Sequence, residues 1–302
     1  MSGDKGDKGD KGLAESNSID GPDIDDVRRV VATALAEDLR YGPDATTAAT
    51  VGADATATGA LTPRSAGVLA GVPAALAVFD EVLGDEYVVI DRAADGARLV
   101  ADRPALVVRG PVRGLLTAER TALNLLCHLS GIATATAAWV AAVSGTGCRI
   151  RDSRKTLPGL RLLEKYAVRC GGGVNHRMGL GDAVLIKDNH VVAAGSVGEA
   201  LRLARKHAAG LPCEVEVDDL DQLAEALDAG ADEILLDNFT PQGCADAVTM
   251  RDERNPGAQL ESSGGLRLEN ARVYAESGVD YLAVGALTHS SPALDLGMDL
   301  SA

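Results

Sequence analysis

From about residue 147 onward the chain repeats one unit: a short apolar strand, a loop, then an amphipathic helix. The strands read as Arg149–Arg151, Ala183–Ile186, Cys213–Val217, Glu233–Leu236, Gln259–Glu261 and Tyr281–Val284. Helical patterns cover Leu160–Arg169, Val197–Ala209, Leu220–Ala229, Pro241–Met250 and Leu266–Ser277. Strand–helix units recurring every ~20 to 30 residues mean a parallel sheet, because parallel neighbours need a crossover between them. Six units running one way favour a barrel related to the eightfold (β/α) barrel over a doubly wound sheet. No Gly-x-Gly-x-x-Gly opens the first unit, which also weighs against a dinucleotide fold.

The segment before this repeat has another character. Asp23–Leu39 carries Ile24, Val27, Val31 and Leu35 at helical spacing after an Asp-rich start. Short β-prone runs follow at Ala55–Thr62, Tyr87–Ile90, Arg98–Val100 and Ala105–Val108, with one helix at Ala74–Leu83. That pattern predicts an α+β layer of largely antiparallel strands. Two helices are expected next, Leu115–Ser130 and Ile132–Val143. At 302 residues the whole suits one large domain or two smaller ones. Met1–Gly12, with its Gly-Asp-Lys period, has the composition of a disordered tail.

Charge narrows the function. With 44 acidic and 29 basic residues the net charge is −15, which argues against nucleic acid and anionic membranes as partners. The apolar runs Ala66–Phe79 and Ile132–Val143 fall short of the roughly 20 residues that a membrane span needs. Five scattered cysteines without a Cys-x-x-Cys pair fit neither a disulfide framework nor a zinc site, and no apolar signal segment opens the chain. A cytoplasmic location is expected. Against the acidic background, Arg149–His190 holds nine Lys/Arg and four Asp/Glu. Such a cationic island reads as a site for a small polyanion, or as a patch balanced by acids elsewhere.

Barrel active sites lie at the C-terminal ends of the strands. Those exits carry Asp152–Lys155, Lys187–Asn189, Glu216–Asp218, Asp237-Asn238, Ser262–Gly265 and Gly285. Asp, Asn and Ser could be helix caps, but Lys155, Lys187 and Glu216 are not capping types. In Glu214-Val-Glu-Val217 the carboxylates share one face, and if the valines pack on helices both point inward. Glu216 and Asp237, on neighbouring strands, could then hold Mg²⁺ or a ribose; the alternative is that Glu216 pairs with an Arg or Lys across the barrel. Ser-Gly-Gly after a late strand suits a phosphate cradled by backbone N–H groups, or simply a tight turn. Arg154, Arg177 and Lys187 together suit a ligand with more than one carboxylate. Gly171–Gly173 reads as a flexible turn that folds His176 and Arg177 back over a pocket.

The runs D-S-R-K-T-L-P-G-L-R, E-K-Y-A-V, G-G-G-V-N-H-R, L-I-K-D-N-H, E-V-E-V-D, L-L-D-N, E-S-S-G-G and V-G-A-L-T-H-S occur in this order. Over residues 23 to 298 the chain closely resembles the quinolinate phosphoribosyltransferase family, with Ser153 where the family commonly has Thr. The resemblance implies an α/β fold: an incomplete (β/α) barrel at 126–287 and an N-terminal α+β sandwich domain at 23–125. Residues 1–22 would be a tail, and 288–302 a segment able to pack on the sandwich. It also implies the activity: quinolinate and phosphoribosyl pyrophosphate react with Mg²⁺ to give nicotinate mononucleotide, CO₂ and pyrophosphate. No organic cofactor is needed.

By motif position, the resemblance assigns Arg154, His176, Arg177 and Lys187 to the quinolinate pocket. Arg120 would arrive from the other subunit of a head-to-tail homodimer, itself open to further assembly. Lys155 would meet phosphoribosyl pyrophosphate, with Ser153 beside it. Glu216 and Asp237 would hold ribose and Mg²⁺, directly or through water. Lys155, Glu216 and Asp237 are the catalytic candidates. Ser263, Gly264, Gly265 and Gly285 would cradle the 5′-phosphate. The competing expectations are a nicotinate-type enzyme of the same fold and a non-catalytic phosphosugar-binding barrel.

Overall fold

A computed structural model describes residues 19–302. The Gly-Asp-Lys run, and all of the expected tail before residue 19, lies outside the described residues.

The N-terminal part comprises α1 (Ile24–Asp38), α2 (Ala45–Thr50), β1 (Thr56–Pro63), β2 (Gly67–Val68), α3 (Val72–Leu83), β3 (Val88–Arg92), β4 (Arg98–Leu99) and β5 (Leu106–Pro111). Helix α1 begins at Asp23, whose carboxylate accepts the Asp26 N–H at 2.9 Å and satisfies one free helix donor. Its buried stripe is Val27, Val30, Val31 and Leu35. Strand β1 alternates in burial, as a strand with one face on a core must. It pairs antiparallel with β5, and β5 with β3.

Strand β5 runs straight into α4 (Val112–Ala142), one helix of 31 residues. Sequence patterning predicts two helices here, and the family resemblance a domain boundary at 125/126; both breaks fall inside α4. The reason lies at Gly131. A glycine usually weakens a helix interior by about 1 kcal/mol. Here its missing side chain admits the C-terminal chain: a Cβ would stand 2.2 Å from the Pro292 carbonyl oxygen. The Leu294 N–H then reaches the Cys127 carbonyl at 3.0 Å. By length and composition alone α4 could cross a membrane. It packs instead against α3 and against the barrel helix that follows, burying Leu115, Leu123, Leu126, Leu129 and Ile132.

The repeat then forms β6 (Arg149–Arg151), α5 (Arg161–Cys170), β7 (Val184–Ile186), α6 (Asp188–Ala194), α7 (Val197–His207), β8 (Cys213–Val217), α8 (Leu220–Asp228), β9 (Glu233–Asp237), α9 (Pro241–Arg254) and β10 (Gln259–Ser263). A 3-10 turn at Leu268–Asn270 precedes α10 (Ala271–Ala275), β11 (Tyr281–Ala283), α11 (Ala286–His289) and β12 (Leu296–Ser301). The helix expected over Leu266–Ser277 is therefore shorter, because Asn270 Oδ1 accepts the Arg267 N–H at 2.8 Å and holds the preceding residues in a turn.

Six strands pair in parallel in the order β6-β11-β10-β9-β8-β7. Strands β7 to β11 are neighbours in chain order, and β6 joins at the far side of β11. This is barrel order without the reversal of a doubly wound sheet. The ring stays open between β6 and β7, where Arg151 makes a single parallel bridge with Val174. Strand β12 returns to the N-terminal sheet and pairs antiparallel with β1, giving the order β12-β1-β5-β3.

Candidate active site

A cavity of about 700 Å³ opens at the C-terminal ends of the barrel strands. Ser153, Arg154 and Lys155 enter it after β6, Lys187 after β7, and Glu216 from β8. Asp237 closes β9, Ser263 closes β10 before Gly264 and Gly265, and Gly285 follows β11. His176 and Arg177 come from the loop between α5 and β7. Every sequence-predicted site residue except Arg120 lines this one space. Arg120 lies exposed on α4, away from the cavity of its own chain.

The cations Arg154, Lys155, Arg177 and Lys187 converge on this cavity. Burial lowers the Arg177 pKa, and the neighbouring Arg154 charge lowers it further. The Asp182 and Glu214 charges offset part of that repulsion. The Arg154 Nε is buried and has no hydrogen-bond partner among the described residues. Lys187 meets Glu216 in an ion pair. The pairing of Glu216 with a cation across the barrel, one of the two sequence readings, is thus present in the ligand-free chain. Both Glu216 and Asp237 remain on the cavity wall, on adjacent strands and the same face. Their hard oxygen donors suit Mg²⁺ shared with a phosphate ester.

The glycines at the opposite rim have steric reasons. Gly264 has φ +90°, and a Cβ there would meet Asn238 Oδ1 at 2.1 Å. Asn238 itself has φ +55°, a region that Asn tolerates, and its amide donates to Asp237 Oδ2 at 2.8 Å. Gly285 lets Lys155 pass close by, since a Cβ would stand 2.8 Å from Lys155 Cδ. Thr288 Oγ1 donates to the Lys155 carbonyl at 2.7 Å and anchors that loop.

Beneath the cavity runs a buried charge network. Lys165 and Asp152 are fully buried and paired at 2.5 Å. Asp152 also accepts the His176 N–H at 2.8 Å and the Asn175 amide at 2.6 Å. The three segments carrying Arg154-Lys155, Lys165 and His176-Arg177 are thereby tied to one carboxylate. Arg151 reaches Glu261 Oε2 at 2.9 Å and Glu233 Oε2 at 3.4 Å inside the barrel, and its guanidinium lies 3.8 Å from the Tyr281 ring centroid. Glu214 points inward with Glu261. Burial pushes Glu214 up to about 7; burial, then the Glu214 charge, pushes Glu261 up to about 8.

Two sequence expectations change here. The cationic island is not one ligand surface, for Arg151 and Lys165 are interior partners of acids. Arg161 and Arg169 are spent on backbone carbonyls, at Met178 and Asp20. Gly171 and Gly173 serve packing rather than flexibility: a Cβ at Gly171 would be 2.4 Å from the Ala133 carbonyl oxygen, and one at Gly173 2.8 Å from Thr136 Cγ2. The loop is pressed onto α4. Asn238, named among the strand exits, was given no role, and Glu261 and His289 were passed over as site residues, although all three line the cavity. The signal was available in their motifs, L-L-D-N, E-S-S-G-G and V-G-A-L-T-H-S.

The same architecture recurs in known proteins. Residues 44–130 match the N-terminal domain, and residues 132–299 the C-terminal domain, of quinolinate phosphoribosyl transferase. The carboxylating nicotinate-nucleotide pyrophosphorylase of Mycobacterium leprae is 61% identical over 279 residues, 92% of this chain and 98% of that protein. The human protein of the same name is 42% identical over 246 residues, covering 80% of this chain and 82% of its own. The solved structure of the nicotinate-nucleotide pyrophosphorylase from Francisella tularensis superposes with a TM-score of 0.88 at 38% identity, covering 95% of this chain and all of that one (100%). With both domains matched and the cavity residues on the expected strand ends, the chain belongs to the quinolinate phosphoribosyl transferase family.

Proposed function

We propose that this chain transfers the phosphoribosyl group of phosphoribosyl pyrophosphate to quinolinate, with loss of CO₂, giving nicotinate mononucleotide and pyrophosphate for NAD synthesis. One observation carries the reading: Arg154, Arg177 and Lys187 share a cavity with Glu216 and Asp237. Three cations suit a dicarboxylate, and the carboxylates beside them suit a ribose. A monocarboxylate such as nicotinate would leave a partly desolvated cation unpaired, at a cost of about 1–3 kcal/mol.

In this reading Arg154, Arg177 and Lys187 orient the two quinolinate carboxylates, with His176 in the wall behind them. The partner subunit's Arg120 completes the pocket in a homodimer, which accounts for the exposed position of Arg120 in its own chain. Ser153, Ser263, Gly264, Gly265 and Gly285 surround the phosphates. Glu216 exchanges Lys187 for the ribose, and with Asp237 it would hold Mg²⁺, in part through water. When bound, Mg²⁺ offsets charge on the pyrophosphate oxygens.

The pyridine nitrogen attacks the anomeric carbon, and the bond from that carbon to the pyrophosphate oxygen breaks. Carbon becomes cationic as the bond lengthens, and Glu216 and Asp237 favour that charge. Lys155 offsets the negative charge that grows on the leaving oxygen. The ring nitrogen is then quaternary. The adjacent carboxylate leaves as CO₂, and the electron pair of the broken bond stays on the ring carbon, stabilised by the positive ring, until a proton from water reaches it. The chemistry draws on no organic cofactor. A reducing cytoplasm suits the five free cysteines.

The assay supplies quinolinate, phosphoribosyl pyrophosphate and Mg²⁺ to the full chain. Equal amounts of nicotinate mononucleotide and CO₂ are expected. Turnover of nicotinate without turnover of quinolinate overturns the reading, and binding without any turnover points to a phosphosugar-binding barrel. Lys155→Ala is expected to lower kcat at least about 100-fold with an unchanged melting temperature. Wild-type rates in that variant would remove Lys155 from the mechanism.

A further inference from the structure

The floor of the cavity holds a buried polar group to which the proposed reaction gives no work. His176 Nε2 lies 2.7 Å from Glu214 Oε2 and 3.8 Å from Glu261 Oε1. On the other side of the ring, Nδ1 stands 2.7 Å from the Arg177 backbone nitrogen. A backbone N–H can only donate, so Nδ1 accepts and carries no proton. The ring proton is then on Nε2, where Glu214 accepts it. Both nitrogens are consumed inside the protein, and neither is left for a substrate.

The frame around the ring is rigid. Glu214 and Glu261 belong to β8 and β10 and are 3% and 2% exposed. A histidine with two carboxylates could form a cation site. The Arg151 guanidinium, 2.9 Å from Glu261 Oε2, already supplies the positive charge there. What the arrangement does leave free is the Arg177 side chain. Its backbone N–H is fixed by the ring, and its Nη1 donates to the Ala183 carbonyl at 3.3 Å. The rest of its guanidinium faces the cavity beside Arg154.

We propose that His176 is a positioning residue and not a direct ligand of the acid substrate. The neutral Nε2–H ring is braced by Glu214, and its Nδ1 sets the angle at which Arg177 enters the cavity. Glu214 and Glu261 act one step further back, through the ring. The substrate part of this proposal rests on the quinolinate reading; the tautomer does not.

Two measurements test it. The first is a nitrogen-detected NMR spectrum of the wild-type full chain labelled at histidine, with His176→Gln used to assign the signal. A ring protonated on Nε2 alone is expected at neutral pH; protonation on Nδ1, or on both nitrogens, overturns the proposal. The second is a double-mutant cycle of His176→Gln with Arg177→Ala, read as kcat and KM for quinolinate. Alone, His176→Gln is expected to raise KM about tenfold, one hydrogen bond's worth, with a smaller effect on kcat. In the Arg177→Ala background it should change little, because its effect passes through Arg177. Fully additive losses would mean that His176 meets the substrate itself. If the variant does not fold, substituting the other four histidines in turn assigns the His176 signal, and the wild-type NMR result decides. If the wild type does not use quinolinate, the reading of the reaction falls while the tautomer still stands or fails by itself.

Discussion

Asn238 and Gly264 make the sharpest steric fit in the site. Both have positive φ, and the Asn238 side chain fills the space where a Gly264 side chain would go. Gly264→Ala is therefore expected to lose about 1–3 kcal/mol of stability in thermal melts. It should also raise KM for phosphoribosyl pyrophosphate, because Asn238 must move and release Asp237. An unchanged melt and KM would show that the loop adapts. Single residues also mark the limits of sequence reading. Lys155 and Lys165 stand in the same cationic run, yet one lines the cavity and the other is wholly buried against Asp152. Nothing in their neighbours along the chain separates them, since burial of a lysine depends on a carboxylate brought up from elsewhere.

At the scale of elements, the strands were the most legible. Arg149–Arg151 and Cys213–Val217 form strands with the bounds that the strand–loop–helix repeat predicts. The continuity of α4 through Gly131 and the strand β12 have one shared cause. Each depends on the C-terminal chain crossing α4, a contact between residues more than a hundred positions apart, such as Leu294 with Cys127. Short elements such as α2, with 6 residues, are below the length at which helical periodicity can be read. Removing residues 294–302 would strip β12 from β1 and withdraw two buried leucines, Leu294 and Leu296. By hydrophobic burial alone that costs about 3–6 kcal/mol. Denaturant unfolding of the shortened chain should show a lower midpoint or aggregation through the bared edge of β1; an unchanged midpoint would mean that β12 is dispensable.

For the whole molecule, pH and assembly give two tests. Glu261 and Glu214 are pushed above their ordinary value of 4.5, to about 8 and about 7. The folded chain keeps protons that the unfolded chain has lost, so stability falls as pH rises toward those values. His176, pushed down by burial, acts oppositely, but only below its ordinary value of 6.5. Between about pH 6.5 and 8 the carboxylates dominate, and the melting temperature should decline with rising pH. Glu261→Gln should flatten that decline, and a wild-type melting temperature that rises over this range would contradict it. Assembly is tested by mixing inactive Arg120→Ala and Lys155→Ala chains. If Arg120 acts across a dimer interface, hybrids hold one intact site and recover up to about one quarter of wild-type activity by random pairing. No recovery in chains that demonstrably exchange would place Arg120 outside the site.

The chain as a whole carries a net charge of −15, while Arg154, Lys155, Arg177 and Lys187 gather in one cavity. The sequence by itself determined the parallel repeat, the strand exits and, through its motifs, nearly all the residues around that cavity. Those features follow from patterns that repeat within a few residues, which local backbone geometry reads directly. Tertiary structure alone decided which charges were buried, where the barrel stayed open, how the C-terminal strand returned, and that the His176 ring turns inward. Each of these depends on partners distant along the chain, as with Arg151 and Glu261, 110 positions apart, and no local pattern encodes such a meeting.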